Sequence, residues 1–157
     1  MRVALLLACL ACAAAGDGRL TARLRRPHNP EQRFAVTARA RRCVGARGVL
    51  VEAASDEGNG LLLWLRGAAI TAGDYPLRTA SDTTAGRAAT ASLRFMTGDI
   101  AHGLTLDSGA VRVTTAGPRL AGDVVARGIE LAGLQHVSLT ASFADVAITD
   151  STVCTPT

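Results

Sequence analysis

A chain of 157 residues that is 48% apolar but only 3% aromatic has room for one domain, and its core must be built from Val, Leu, Ile and many Ala. All 17 basic residues are arginine and the formal charge is +4, but the charge is lopsided: Gly16 to Arg47 sets nine Arg against Asp17 and Glu31, whereas Gly48 onward sets seven Arg against eleven acids. Past residue 15 no apolar run is long enough for a membrane-spanning helix, and no HExxH, P-loop, GxSxG elbow or dinucleotide fingerprint occurs, so no cofactor is expected and no enzyme class is indicated.

The chain opens with MRVALLLACLACAAA, one positive charge and then an apolar run ending in small residues, which is the layout of a secretory leader. This divides the chain into a leader, 1–15, and a single all-β domain, 16–157. Two processing routes stay open: cleavage before Gly16, or lipid modification of Cys12 or Cys9, each preceded by a small Ala. Either route implies export, to a periplasmic, extracellular or lipid-anchored place in a bacterial envelope. Beyond the leader only Cys43 and Cys154 remain, and two cysteines in an exported chain suggest one disulfide.

Strands follow. Arg19 to Arg25 alternates Leu20, Ala22 and Leu24 against arginines and Thr21, a basic strand expected at an edge. Pro27 and Pro30 break regular structure, then Phe34 to Arg42 puts Phe34, Val36, Ala38 and Ala40 on one face and Thr37, Arg39 and Arg41 on the other. VLVEAA from Val49 and LLLWLR from Leu61 flank SDEGNG, whose Gly58, Asn59 and Gly60 favour a hairpin. Leu61 to Leu65 is apolar on both faces, as for a central strand covered twice or one under a packed loop. A turn is expected at Gly73 to Pro76 and a long loop from Arg78 to Thr90. SLRFM resumes alternation, a short strand is expected at Leu104 to Leu106, and Ala110 to Ile148 reads as a three-stranded meander reversed at Gly117 and Pro118. In its last strand the apolar positions change parity between Phe143 and Val146, which predicts a bulge near Ala144 and Asp145. About eight short strands with no helical spacing imply an antiparallel β-sandwich or a small β-barrel.

The succession GLLLWLRG, GDYPL, DSGAVRVTTAG, LAGDVVARG and VSLTASFADV, behind a short leader, resembles small secreted or lipid-anchored all-β proteins of bacterial cell envelopes, a group of unknown function. The resemblance implies an envelope location and a sandwich fold and carries no catalytic residues with it.

Three readings of function follow. The first is a non-catalytic envelope domain, a scaffold or adhesion surface of unknown partner. Its outward arginines Arg23, Arg25, Arg39 and Arg41 can meet an anionic envelope surface, whereas nucleic acid is not expected because no aromatics interleave with them. The alternative is a carrier of a small apolar ligand, since Ala-rich inward positions would leave volume in a barrel. The weakest is a hydrolase centred on Asp99, His102 and Asp107, which lie close together in sequence. Trp64, the one tryptophan, is expected in the core rather than on a sugar-binding platform.

Overall fold

Period-two alternation, sustained through most of the chain, places one side chain in two beneath a sheet and leaves the other in water. The computed structural model describes residues 18–43, 45, 47–132 and 134–151, with Cys43 described by its backbone alone. These form β1 (Gly18–Arg25), β2 (Gln32–Cys43), β3 (Gly48–Ala54), β4 (Gly60–Arg66), β5 (Gly73–Pro76), β6 (Ala88–Thr97), β7 (Ile100–Thr115), β8 (Arg119–Glu130) and β9 (His136–Ser151), with no helix among the described residues. The leader with its alternative processing sites, Cys154 and the side chain of Cys43 lie outside that description.

Eight strands close into an antiparallel barrel in the order β1-β2-β3-β4-β6-β7-β8-β9, with β9 returning to β1. Of the two architectures the sequence allows, this is the barrel. β1 is therefore paired on both sides and is no edge strand. Beyond Gly18, at the start of β1, the seam continues, because Ala40 to Cys43 of β2 pair in parallel with Ile148 to Ser151 of β9.

The interior holds one contiguous cluster. Leu20, Leu24, Leu61, Leu63, Leu65, Tyr75, Phe95, Leu104, Leu106, Leu120, Leu139 and Phe143 are its largest fully buried members, and Val113 and the partly buried Phe34 pack with them. An eight-stranded barrel is just wide enough for side chains to fill, and here the inward alanines are interleaved with these bulkier residues.

Bulges adjust the long strands. On β9, Leu120 pairs with Val146 and Gly122 with Phe143, so Ala144 and Asp145 together oppose Ala121, at the place where the parity of the sequence changes. Asp145 takes a left-handed φ of 57° and is held by an ion pair to Arg119. On β7, Leu106 pairs with Gly128 and Ser108 with Arg127, leaving Asp107 as the extra residue. Gly109 follows at φ 113°, and a Cβ there would stand 2.0 Å from the Val125 carbonyl oxygen. The short strand expected at Leu104 to Leu106 is thus one end of a single sixteen-residue strand.

The turn expected at Gly73 to Pro76 is instead the strand β5. β6 leaves β7 at the Ala91–Leu106 pair, and β5 takes over the vacated edge between Ala110 and Val113. Tyr75 enters the interior opposite Val111, where its hydroxyl donates to the Thr71 carbonyl and accepts from the Thr71 N–H, both at 2.9 Å. The expected loop stops at Arg87, because Ala88 to Thr90 already pair with Arg66 to Trp64. That loop explains the doubly apolar β4: Leu61, Leu63 and Leu65 point inward, while Leu62 and Trp64 line an outer depression of ≈ 310 Å³ walled by Arg78, Thr79 and Ala80. Arg66 Nη1 donates to the Asp82 carbonyl at 2.5 Å and ties the loop down. Trp64 is consequently half-buried on the outside of the barrel and is not part of its core.

Candidate functional site: a basic outer face and a buried cluster at one mouth

Strand closure assembles a surface that no single strand carries. On the outer face of β8, β9, β1 and β2 the registers set side chains in rows. Nearest one mouth, Arg127 stands opposite Ser138 and Ser138 opposite Arg25. The next row runs Val125, Thr140, Arg23, Arg33, and the next Asp123, Ser142, Thr21, Ala35. Arg19 lies beyond, opposite Thr37, with Arg39 further along β2. Glu31 sits between Arg25 and Arg33 and accepts a hydrogen bond of 2.6 Å from each Nε. These two guanidinium bonds hold its carboxyl below the ordinary carboxylate range.

Among the four arginines expected to meet an anionic surface, Arg23, Arg25 and Arg39 are exposed on this face. Arg41 is half-buried and bonded to Glu52 at 2.7 Å, on the β3 side of β2. Arg19, Arg23, Arg39 and Arg127 have no acidic partner within ion-pair distance among the described residues. Arg127 and Arg33 belong to the same surface. Sequence alone hid this, because Arg127 is about a hundred positions from β1 and joins it only through β9. Two shallow troughs of ≈ 230 and ≈ 290 Å³ meet at Arg23 and Thr140, lined mainly by hydroxyls and arginines. Such lining offers hydrogen-bond donors to phosphate, carboxylate or sulfate oxygens.

The second feature lies inside the mouth where β1, β3, β6 and β8 end and β2, β4, β7 and β9 begin. Glu130, at the end of β8, is only 5% exposed. One of its oxygens accepts from His102 Nδ1–H at 2.5 Å, and the other faces Arg26 Nη1 at 3.8 Å. The His102 ring stacks on Phe95 with centroids 4.6 Å apart, and the Arg26 guanidinium lies 4.5 Å from the centre of the same ring. Arg26 Nε and Gln32 Oε1 are buried there without a hydrogen-bond partner among the described residues. The Glu130 backbone also fixes the β8–β9 connection: its N–H donates to Gln135 O and its carbonyl accepts from Leu134 N–H, each at 2.9 Å.

The residues grouped as a hydrolase centre are not brought together. His102 turns into the barrel, Asp99 is exposed on the β6–β7 turn, and Asp107 is exposed at the β7 bulge. Among the described residues, no three His, Cys, Asp or Glu side chains converge as a metal site would require. The partner of His102 is Glu130, which sequence reading missed. The signal was present: Leu120, Gly122, Val124, Ala126 and Gly128 all share its inward parity. The His102 imidazole is stacked on Phe95 and bonded to Glu130 in a cluster that braces the mouth.

No protein-family model, no curated protein and no solved structure matches this chain.

Proposed function

We propose that this protein is an exported, non-catalytic β-barrel of the cell envelope that adheres to anionic surfaces through the outer face of β8, β9, β1 and β2. The observation that carries the reading is the set of outward arginines, Arg19, Arg23, Arg39 and Arg127, without acidic partners among the described residues, on contiguous strands and separated by Ser and Thr hydroxyls. Guanidinium groups held on a rigid sheet lose little freedom on meeting phosphate or carboxylate oxygens, which favours such contacts. The basic leading segment of the chain supplies most of this charge, with Arg127 added from β8, and Asp123 is the acid of the remainder that shares the rows. Export and either lipid modification at Cys12 or cleavage before Gly16 belong to the same proposal.

The test is adsorption to anionic and neutral surfaces at low and high salt. Wild-type protein should bind the anionic surface at low ionic strength and release as salt is raised. The double variant Arg23→Glu, Arg39→Glu should lose about tenfold or more, since each arginine near a charged surface contributes about 1 kcal/mol. Equal adsorption of the variant would remove the proposal.

A further inference from the structure

Among the described residues four large hydrophobic side chains are strongly exposed: Ile100 at 64%, Val125 at 62%, Leu131 at 65% and Leu134 at 77%. Leu131 and Leu134 belong to the β8–β9 connection, Ile100 begins β7 at the same mouth, and Val125 lies on the basic face below. An exposed Leu is ordinary; a pair presented in this way is not. Leu134 adopts a left-handed φ of 52°, which a leucine takes at a cost. It is held there by its N–H bond to Glu130 O, by the Glu130 N–H bond to Gln135 O, and by the Leu131 N–H bond of 3.0 Å to Gly103 O. The hub of Glu130, His102 and Arg26 anchors the residue from which the loop springs. These bonds brace the backbone of Leu131 and of Leu134, and both side chains are displayed to solvent.

Directly beneath this loop, on the two strands it joins and on their neighbours, lie the rows Arg127, Ser138, Arg25 and Val125, Thr140, Arg23, Arg33. Four arginines and one acid, Glu31, therefore stand behind an aliphatic tip. A soluble polyanion would use the arginines and leave the leucines wet. An anionic phospholipid bilayer uses both, with guanidinium groups at the phosphates and leucines among the first acyl carbons.

We infer that the anionic surface is a phospholipid membrane and that the barrel docks on it by this edge, inserting Leu131 and Leu134 while Arg25, Arg127, Arg23 and Arg33 contact headgroups. This rests on the anionic-surface reading above and names its partner.

The experiment titrates the full chain with vesicles of phosphatidylcholine alone, with vesicles doped with phosphatidylglycerol, and with immobilised heparin as a lipid-free polyanion. Wild-type protein should bind the doped vesicles and not the neutral ones. The double variant Leu131→Ser, Leu134→Ser should bind them about tenfold or more weakly while keeping its heparin retention and its thermal midpoint, because the two leucines are exposed and contribute little to folding. A second variant, Leu134→Trp in a Trp64→Phe background, should show a blue shift and quenching by bromine-labelled lipid on the doped vesicles. Vesicle binding unaffected by the serine pair, or a Trp at 134 that stays water-like on bound vesicles, overturns the insertion. Retention on heparin without vesicle binding overturns the bilayer and spares the anionic reading. Binding to neither ends both.

Discussion

Glu130 is the charged side chain that closure of the barrel places deepest among the described residues. Replacing it with alanine leaves Arg26, about nine-tenths buried, without its counter-charge and leaves His102 Nδ1–H unpaired. Breaking a buried pair on one side typically costs about 3–5 kcal/mol, so Glu130→Ala should lower the urea midpoint strongly, and adding Arg26→Met should recover part of the loss. Glu31 works in the opposite setting, on the surface. Its carboxyl is lowered from 4.5, first by the hydrogen bonds from Arg25 and Arg33, so what it adds to stability is present above 4.5 and is lost as pH falls through the lowered value. The same protonation frees two arginines. Glu31→Gln should therefore raise affinity for an anionic surface at neutral pH by about fivefold, and flatten its rise on acidification, measured by vesicle co-sedimentation.

At the scale of the strand, bulges decide what can be read from spacing. Gly109 follows the β7 bulge with φ 113° and the Val125 carbonyl crowding any Cβ. Gly109→Ala should cost about 2 kcal/mol or more in denaturant unfolding, through left-handed strain and lost β7–β8 pairing. The bulge on β9 was legible because Phe143 and Val146 are both large and apolar, so the change of parity shows. On β7 the same change falls within LTLDSGA, where Asp, Ser and Gly mask it, and one long strand reads as two pieces. β5 is four residues long and contains Pro76, so nothing local distinguishes it from a turn; its strand character comes from the edge that β6 vacates. Trp64 illustrates a different limit, since alternation gives its face but not that a loop will cover that face. Glu130 was open to the same alternation as Leu120 and Val124, yet a carboxylate reads as solvated until Arg26 and His102 are known to stand beside it.

For the whole molecule, pairwise strand signals do not reveal closure, because no strand encodes which distant strand it will meet. The return of β9 to β1 turns separate runs of arginine into one surface and a stack of hairpins into a sealed core. The seam ends with the backbone of Cys43 paired to that of Ser151, three positions before Cys154 in sequence. A disulfide between Cys43 and Cys154 would close a loop of about 110 residues and add up to about 4.7 kcal/mol by restricting the unfolded chain. Native protein should then show no titratable thiol beyond the leader, and reduction should lower its thermal midpoint by several degrees; two free thiols in native material would remove the bridge.

Gly18 and Ser151 both lie at the mouth away from Leu131 and Leu134. A tether attached at Gly18 or at Ser151, whether the lipid anchor of the proposed export route or a bead, chip or fluorescent fusion supplied by the experimenter, would hold the barrel by its far side and turn the leucine edge outward. A molecule so attached to one bilayer would present its adhesive rim to whatever surface lies across the gap.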